Sequence, residues 1–416
     1  MSGAGRITAM VLTVCCLSLA AGYALKLQCT QIPWDGSQYG RLCYNDLQAL
    51  FEVRGIDEGV FPYVEGDLVD GELTGGAIEY PVLTGVFMWA TGALAKDWKS
   101  YLSVSALFLA PFGLLTAYLA LKMAGRRALL FAAAPAVVLY AFHNWDLLVV
   151  AAVALGMWLW TKGRPGAAGV AFGLGAALKL YPLFFLAPLV MERLVGRDKK
   201  GAAATAGAGL GTLVAVNLPF ALANFDGWWA TYEFHRLRVA DFNSIYTWGF
   251  ESVALDPSRL NLVTAVLTLA SFVAAIVWGL RRARTSGCYP FVGVAGAMLA
   301  AFMLWSKVHS PQYALWILLF FVLLEVHIGW WVAYALADLA VYVGIFRWFY
   351  DFSRTQDIEA WTFAKGMLVA GVWGRAALLA GLFVVFLRAR PAVGVEPATG
   401  EVSQARSNLD ARVALQ

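Results

Sequence analysis

Long apolar runs recur along this chain, and they restrict what it can fold into. A helix that crosses a lipid bilayer needs about 20 mostly apolar residues, because every backbone polar group must be hydrogen-bonded inside the membrane. Hydrophobic residues make up 60% of the 416 residues and charged residues only 14%, against about 25% charged residues in soluble domains. The sequence therefore predicts an all-α, polytopic membrane protein.

Basic clusters between the apolar runs predict the orientation of the chain. Such clusters lie at 126–127, 193–200 and 281–284, and cytoplasmic loops carry the excess of Lys and Arg. Placing them inside gives about twelve crossings with both termini in the cytoplasm. The short run 80–95 is predicted to be re-entrant or interfacial; if it crosses instead, there are thirteen spans and one basic cluster breaks the rule. The net charge of +4 is small and spread out, which indicates topology and no nucleic-acid partner.

The predicted organisation has four parts. Residues 1–25 form a first transmembrane anchor, which we prefer to a cleaved signal peptide because the rest of the chain is already rich in apolar spans. Residues 26–79 form an extracytoplasmic loop. Residues 80–390 form a multi-span core with an extracytoplasmic interfacial loop at 223–258, and residues 391–416 form a disordered cytoplasmic tail.

Asp46 is the candidate catalytic base. Apolar residues around it follow helical spacing and predict a short amphipathic helix on the membrane, with Asn45 or Asp46 at its N-terminus. The free N–H groups and the dipole at that end favour an ionised carboxylate. The alternative interpretation is an ordinary helix cap.

Two cysteines, Cys29 and Cys43, lie in the same loop as Asp46. If the loop is outside the cytoplasm, a disulfide between them is chemically permitted and would close a short loop beside Asp46. Two free thiols are the alternative.

Further polar motifs interrupt the apolar runs on the same predicted face. Lone cations there could snorkel to the interface, and polar residues beside tryptophan could be interfacial anchors. Their common face instead favours an active site at the outer interface. These residues are Glu79, Tyr80, His143, Asn144, Asp146, Lys179, Tyr181, Arg236, Arg238, Lys307, His309 and Gln312. Away from that face, Asp338 and Arg375 lie in the middle of the last two predicted spans, where a buried structural ion pair is expected.

No motif for a nucleotide, a zinc ion or a Ser-His-Asp triad occurs in the sequence. No cofactor is therefore expected, although isolated carboxylates leave a divalent metal open. A membrane enzyme outside the cytoplasm has no supply of nucleotide-activated sugars, so a lipid phosphate is the natural substitute as a donor.

At these residues the chain resembles the GT-C superfamily of membrane glycosyltransferases, and specifically glycosyltransferase family 87, which includes actinobacterial mannosyltransferases. The resemblance lies in Asp46, the Glu79-Tyr80-Pro81 motif, the 173–182 stretch that ends in Lys-Leu-Tyr-Pro, and the 307–312 stretch. It implies the GT-C fold and inverting transfer of a sugar, most often mannose, from a polyprenyl phosphate to a lipid or glycan acceptor.

Carried onto this sequence, the resemblance makes Asp46 the general base. It makes Lys179, Lys307 and His309 candidates for holding the donor phosphate. Apart from the resemblance, Arg236 and Arg238 of the interfacial loop could also hold a phosphate, with packing on the membrane surface as the alternative. Substrate contacts would come from Glu79, Tyr80, His143, Asn144, Asp146, Tyr181 and Gln312. The first loop is longer and more acidic than the simplest family pattern, which leaves the acceptor open. A flippase for a lipid-linked sugar, a different pentose or hexose transferase, and a non-catalytic envelope scaffold are the rival interpretations.

Overall fold

The computed structural model of the protein describes residues 3–396. Over that range it is built from α-helices and short 3-10 helices, with one two-stranded antiparallel hairpin of β1 (Asp67–Val69) and β2 (Glu72–Thr74). The predicted all-α class is therefore confirmed. Most of the predicted disordered tail, residues 397–416, lies outside the described residues.

The helices of the first half of the chain are α1 (Gly3–Leu27), α2 (Ser37–Gly40), α3 (Asp46–Val53), α4 (Val82–Gly92), α5 (Trp98–Ala124), α6 (Leu129–Ala132), α7 (Pro135–Tyr140), α8 (Asp146–Thr161), α9 (Pro165–Leu178) and α10 (Leu186–Val195). Those of the second half are α11 (Lys199–Ala223), α12 (Phe225–Leu237), α13 (Ile245–Gly249), α14 (Glu251–Ala254), α15 (Pro257–Ser286), α16 (Phe291–Trp305), α17 (Ala314–Leu323), α18 (Ile328–Thr355) and α19 (Phe363–Arg388).

Long helices give the protein its membrane character. Within residues 3–396, six helical segments are long and apolar enough to cross a membrane: Gly3–Gln31, Trp98–Ala132, Lys199–Ala223, Pro257–Ser286, Ile328–Thr355 and Phe363–Arg388. The protein is therefore a multi-pass membrane protein. The predicted number of twelve crossings is not confirmed.

The other apolar helices are short because polar or proline-containing segments interrupt them. Helix α8 has 16 residues, which is a rise of about 24 Å against a hydrocarbon core of ~30 Å. The run 128–142 is apolar and looks continuous in the sequence, but it is divided into α6 and α7, where Pro135 starts a new helix after the extended residue Ala134. Helix α4 has only 11 residues, and its re-entrant or interfacial placement stays a prediction.

Short helices such as α16 and α17 lie in the centre of the helical bundle, and long helices such as α11 and α15 lie at its periphery. Helix α17 is buried at every residue, and α16 packs between it and α19. Helices α11 and α15 instead expose apolar side chains such as Leu218 and Leu262. A helix that is apolar all round and exposed in the monomer is suited to contact lipid.

Residues 26–79 pack on the end of this bundle. A disulfide joins Cys29 to Cys43, so the end of α1 is tied to the segment that precedes α3. Asn45 caps α3, because its Oδ1 accepts a hydrogen bond from the Gln48 N–H at 2.9 Å. Of the two residues predicted at this helix terminus, Asn45 is therefore the cap, and Asp46 is the first helical residue.

A buried ion pair joins the last two long helices. Arg375 of α19 lies 3.4 Å from the carboxylate of Asp338 on α18, as predicted. Tyr140 donates a second hydrogen bond to Asp338 at 2.9 Å, and Arg375 also donates to the Asn243 carbonyl at 3.0 Å. The pair thus connects four segments.

Removing one partner of this pair should destabilise the protein strongly. We expect Arg375→Met to lower the free energy of unfolding by about 3–5 kcal/mol, because it leaves Asp338 buried without its cation. Denaturant unfolding in lipid or detergent measures the loss. The double variant Asp338→Leu/Arg375→Met should recover most of it, and Arg236→Met, which breaks an exposed pair with Glu233, should change little. Equal losses in the single and double variants would contradict the expectation.

Candidate active site

A cavity of about 510 Å³ lies at one end of the short helices. Helices α9 and α16 finish there, α8 and α17 begin there, and α3 and α12 border it. Its polar side is lined by Asp46, Glu79, Tyr80, His143, Lys179, Arg238, Lys307 and Gln312, and its apolar side by Phe302, Val308, Ile345, Phe346 and Phe349.

Asp46 is half-buried at the wall of this cavity. Its backbone N–H donates to the His143 carbonyl at 2.7 Å, which fixes α3 against the turn before α8. Tyr80 donates a hydrogen bond to the carboxylate at 3.2 Å. Within the described residues no Lys or Arg forms an ion pair with Asp46.

The surroundings of Asp46 disfavour its charge. Burial raises the pKa of the Asp46 carboxyl to about 6, and the nearby Glu79 adds to the rise, while hydrogen bonds from Tyr80 and Tyr44 and the charge of Lys179 oppose it. A carboxylate with such a pKa is well suited to take a proton near neutral pH.

Lys179 lies opposite Asp46 in an aromatic cage. Its ammonium donates to Asp146 at 2.7 Å and lies 5.2 to 5.4 Å from the ring centres of Tyr80, Tyr313 and Trp316. Trp316 donates to the other carboxylate oxygen of Asp146 at 2.8 Å. Lys179 is therefore held rigidly, with a paired charge.

Lys307 and Arg238 provide the remaining cations of the cavity wall. The Lys307 ammonium donates to the carbonyls of Arg236 and Arg238 and to Asn261 Oδ1, at 3.3, 2.8 and 2.7 Å. Its three donors are thus occupied, and burial followed by the charges of Arg238 and Arg236 lowers its pKa to about 8. The Arg238 guanidinium lies over the Phe234 ring, 5.4 Å from its centre, and makes a long contact of 3.8 Å with Asp241. Arg238 therefore has donors left for a ligand.

The structure gathers most of the predicted site residues at the cavity, but not all of them. Asn144 and Asp146 lie behind its wall, where Asn144 Oδ1 accepts from the Asp146 N–H at 3.0 Å. Arg236 is exposed and paired with Glu233, because it lies on the face of α12 that points away from the cavity. His309 is buried beside Arg375 in a separate small space. Burial and the Arg375 charge hold its pKa well below the usual range, so it is poorly placed to offset a phosphate charge.

The sequence analysis did not identify every residue of the site, and Lys26, Tyr44 and Trp316 are among those it missed. Lys26 is fully buried behind His143; in the sequence it resembles a cation that flanks an apolar run. Tyr44 lines the cavity next to Asp46, and Trp316 holds Asp146. In the sequence Tyr44 fits the helical spacing of apolar residues around Asp46, and nothing separates Trp316 from the other tryptophans.

Unpartnered polar atoms also occur at the wall. Gln312 Oε1 and the Tyr181 hydroxyl are buried and have no hydrogen-bond partner within residues 3–396, although both residues line the cavity. Buried polar groups are normally hydrogen-bonded, so these atoms are suited to a polar ligand. The described residues contain no cluster of three or more His, Cys, Asp or Glu that could hold a metal ion.

Comparisons with known proteins identify a family and a loose structural likeness to solved structures. The model of glycosyltransferase family 87 matches residues 78–311, more than half of the chain. No curated protein matches the chain by sequence. The crystal structure of ArnT from Cupriavidus metallidurans bound to undecaprenyl phosphate is similar over 91% of this chain and 77% of that chain, with a TM-score of 0.44 and 14% sequence identity. A likeness this loose transfers neither a residue role nor a ligand.

Asp46 should titrate far above an ordinary aspartate. Infrared difference spectra between the wild type and Asp46→Asn should show the protonated carboxyl band of Asp46 growing as the pH falls through about 6, because burial raises its pKa to about 6. Tyr80→Phe should move the midpoint to higher pH, since it removes a hydrogen bond that stabilises the carboxylate. A midpoint near that of a free aspartate, about 3.9, would show that the carboxyl is hydrated.

Proposed function

Because the chain belongs to glycosyltransferase family 87, we propose that it transfers a sugar from a polyprenyl-phosphate donor to a hydroxyl group of a lipid or glycan acceptor, with Asp46 as the general base. The observation that carries the proposal is the placement of Asp46. Its carboxylate faces a cavity, has a raised pKa and is in contact with no cation of residues 3–396. Mannose is the proposed sugar, on the resemblance of the motifs to family 87 mannosyltransferases.

The proposed step is a single displacement. The Asp46 carboxylate accepts the proton of the acceptor hydroxyl as that oxygen bonds to the anomeric carbon of the sugar. The bond from the anomeric carbon to the phosphate oxygen breaks, and the lipid phosphate leaves with the electron pair. Attack from the side opposite to the leaving group inverts the anomeric configuration, and Asp46 ends the step protonated.

The departing phosphate needs positive charge. Preorganised cations stabilise charge that develops in a transition state, and Arg238 has uncommitted donors at the cavity wall. Lys307 holds the Arg238 carbonyl at 2.8 Å and so fixes the segment that carries the guanidinium. We assign the phosphate contact to Arg238, with Lys179 and Lys307 contributing charge at longer range.

The lipid tail of the donor needs an apolar path, and one side of the cavity borders the outer helices. Phe302 of the cavity wall packs on Phe184, which also contacts Phe272 of α15, each pair with ring centres 5.0 Å apart. Helix α15 exposes apolar side chains such as Val266 and Val273. This arrangement supports entry of a polyprenyl chain from the bilayer on the α15 side.

We place the reaction at the outer face of the membrane. The disulfide between Cys29 and Cys43 lies next to Asp46, and disulfides persist in oxidising compartments. The distribution of basic clusters supports the same orientation, with both termini in the cytoplasm.

The decisive test is sugar transfer by purified protein in lipid, from polyprenyl-phosphate mannose to a panel of lipid acceptors. Asp46→Asn should reduce the rate by about 10²–10⁴-fold, the usual contribution of a general base, while donor binding is kept. Asp57→Asn, which neutralises an exposed carboxylate of the same loop, is the matched control and should transfer normally. Normal transfer by Asp46→Asn would remove Asp46 from the mechanism, and transfer only from another sugar donor would replace mannose.

Two neighbouring arginines should differ sharply. Arg238→Gln should lower kcat/KM for the donor by about 10²-fold, because a charged donor to the departing phosphate is lost. Arg236→Gln should stay close to the wild type, since Arg236 is exposed and outside the cavity. Steady-state kinetics with varied donor concentration measures both. Equal effects of the two substitutions would argue against the phosphate contact at Arg238.

A further inference from the structure

Lys26 is a buried cation that the proposed mechanism does not use. It lies in the last turn of α1 with no exposed surface. Its ammonium donates to the Tyr44 carbonyl at 2.9 Å and to the Tyr342 hydroxyl at 3.0 Å, and lies 3.4 Å from His143 Nδ1. A buried charge is costly unless other groups compensate it, so its partners have to be identified.

The charges around the cavity identify the partner. Glu79 has its own cation in Arg54 at 2.6 Å, and Asp146 has Lys179 at 2.7 Å. Among the described residues, Asp46 is left without a cation in contact and Lys26 without a carboxylate in contact, and Asp46 is the charged group that acts on Lys26. Lys26 and Asp46 therefore balance each other at longer range, through the Tyr44 and His143 segments.

The hydrogen bonds around Lys26 decide the state of His143. Tyr342 donates its only hydroxyl proton to the Leu42 carbonyl at 2.5 Å, so its oxygen accepts from Lys26. The Tyr44 carbonyl can only accept. Two of the three ammonium protons are thereby used, and the third points to His143 Nδ1, which must accept it through its lone pair.

A neutral imidazole with an accepting Nδ1 carries its proton on Nε2. Burial, followed by the charge of Lys26, holds the pKa of His143 well below its usual range, against the opposing effect of the Tyr44 carbonyl. His143 lines the cavity, and Nε2 is on the ring edge away from Lys26. The imidazole is thus set as a donor on the wall that also carries Asp46.

We propose that Lys26 is a positioning residue that keeps His143 neutral with its proton on Nε2, so that the imidazole donates a hydrogen bond to a hydroxyl oxygen of the transferred sugar. The sugar is assigned, and not the acceptor, because a hydrogen bond donated to the attacking oxygen would oppose its attack. The identity of this oxygen rests on the proposed function; the tautomer of His143 does not.

The tautomer can be measured without any substrate. The chain has only four histidines, and the ¹⁵N signals of His143 in labelled protein in lipid can be assigned by their loss in His143→Gln. We expect a bare Nδ1, a protonated Nε2 and no titration between pH 5 and 8. In Lys26→Met we expect His143 to titrate within that range or to populate both tautomers. A protonated Nδ1 in the wild type, hydrogen-bonded to the Tyr44 carbonyl or to an uncharged Lys26 amine, would overturn the proposal.

Steady-state kinetics provide a second test of the roles of His143 and Lys26. His143→Leu should raise KM for the sugar donor about tenfold, the effect of one lost hydrogen bond, and His143→Gln should keep most of the affinity because its amide can donate. Lys26→Met should raise KM in the same way and move the acid limb of the kcat profile to higher pH, since Asp46 loses its balancing cation. An unchanged pH profile together with an unchanged donor KM in Lys26→Met would reduce Lys26 to a packing role.

Other titratable or charged groups also face Lys26, His143 and Asp46. They are Tyr44, Glu79, Tyr80, Tyr140, Lys179 and Tyr342. The variants whose pH profiles are compared must leave these groups unsubstituted. If the wild type transfers no sugar at all, the proposed function fails, while the ¹⁵N signals of His143 still decide the tautomer. The two proposals can therefore fail separately.

Discussion

The need to satisfy every backbone hydrogen bond inside a bilayer governs this structure. Irregular backbone at membrane depth is tolerated only where it is buried in protein or lines a cavity. The interruptions after α7, after α9 and after α16 obey this rule, since residues from each of them line the cavity beside Asp46. Because these helices are short, they end before the long helices do, and the cavity lies at their ends. The same constraint thus produces the fold and the site.

Charge pairing then gives each ionisable group of the cavity a separate chemical character. Glu79 and Asp146 are neutralised by direct contact with Arg54 and Lys179, which suits groups that shape the wall. Among the described residues, the Asp46 carboxylate contacts the hydroxyl groups of Tyr80 and Tyr44, and Lys26 acts on it from a longer distance without an ion pair. Its pKa therefore depends on burial and on these hydrogen bonds. The pKa of Asp46 is raised toward neutral pH, which suits the proposed role of a single base.

The family, the helical class and the membrane character could be predicted from the sequence, because apolar length and short motifs report them directly, and the match to family 87 confirms the family. The grouping of Tyr80, His143 and Lys179 near Asp46 followed from topology alone, since helix ends on one face must lie near one another. The number of crossings stays a prediction, because polar segments shorten helices that look continuous in the sequence. Arg236 and His309 share the predicted face but not the cavity, and Lys26 enters the site only through tertiary contacts with Tyr342, 316 residues away.

The disulfide between Cys29 and Cys43 also bears on how the protein matures. It ties the end of the first long helix to the segment that carries Asp46, and the bond persists only where thiols are oxidised. Without this disulfide, Asp46 would lie on a segment that only noncovalent contacts hold to the end of α1. With the outer location that we propose for the site, the disulfide forms only after the loop has crossed the membrane, so the covalent tie beside Asp46 is added late in the maturation of the protein.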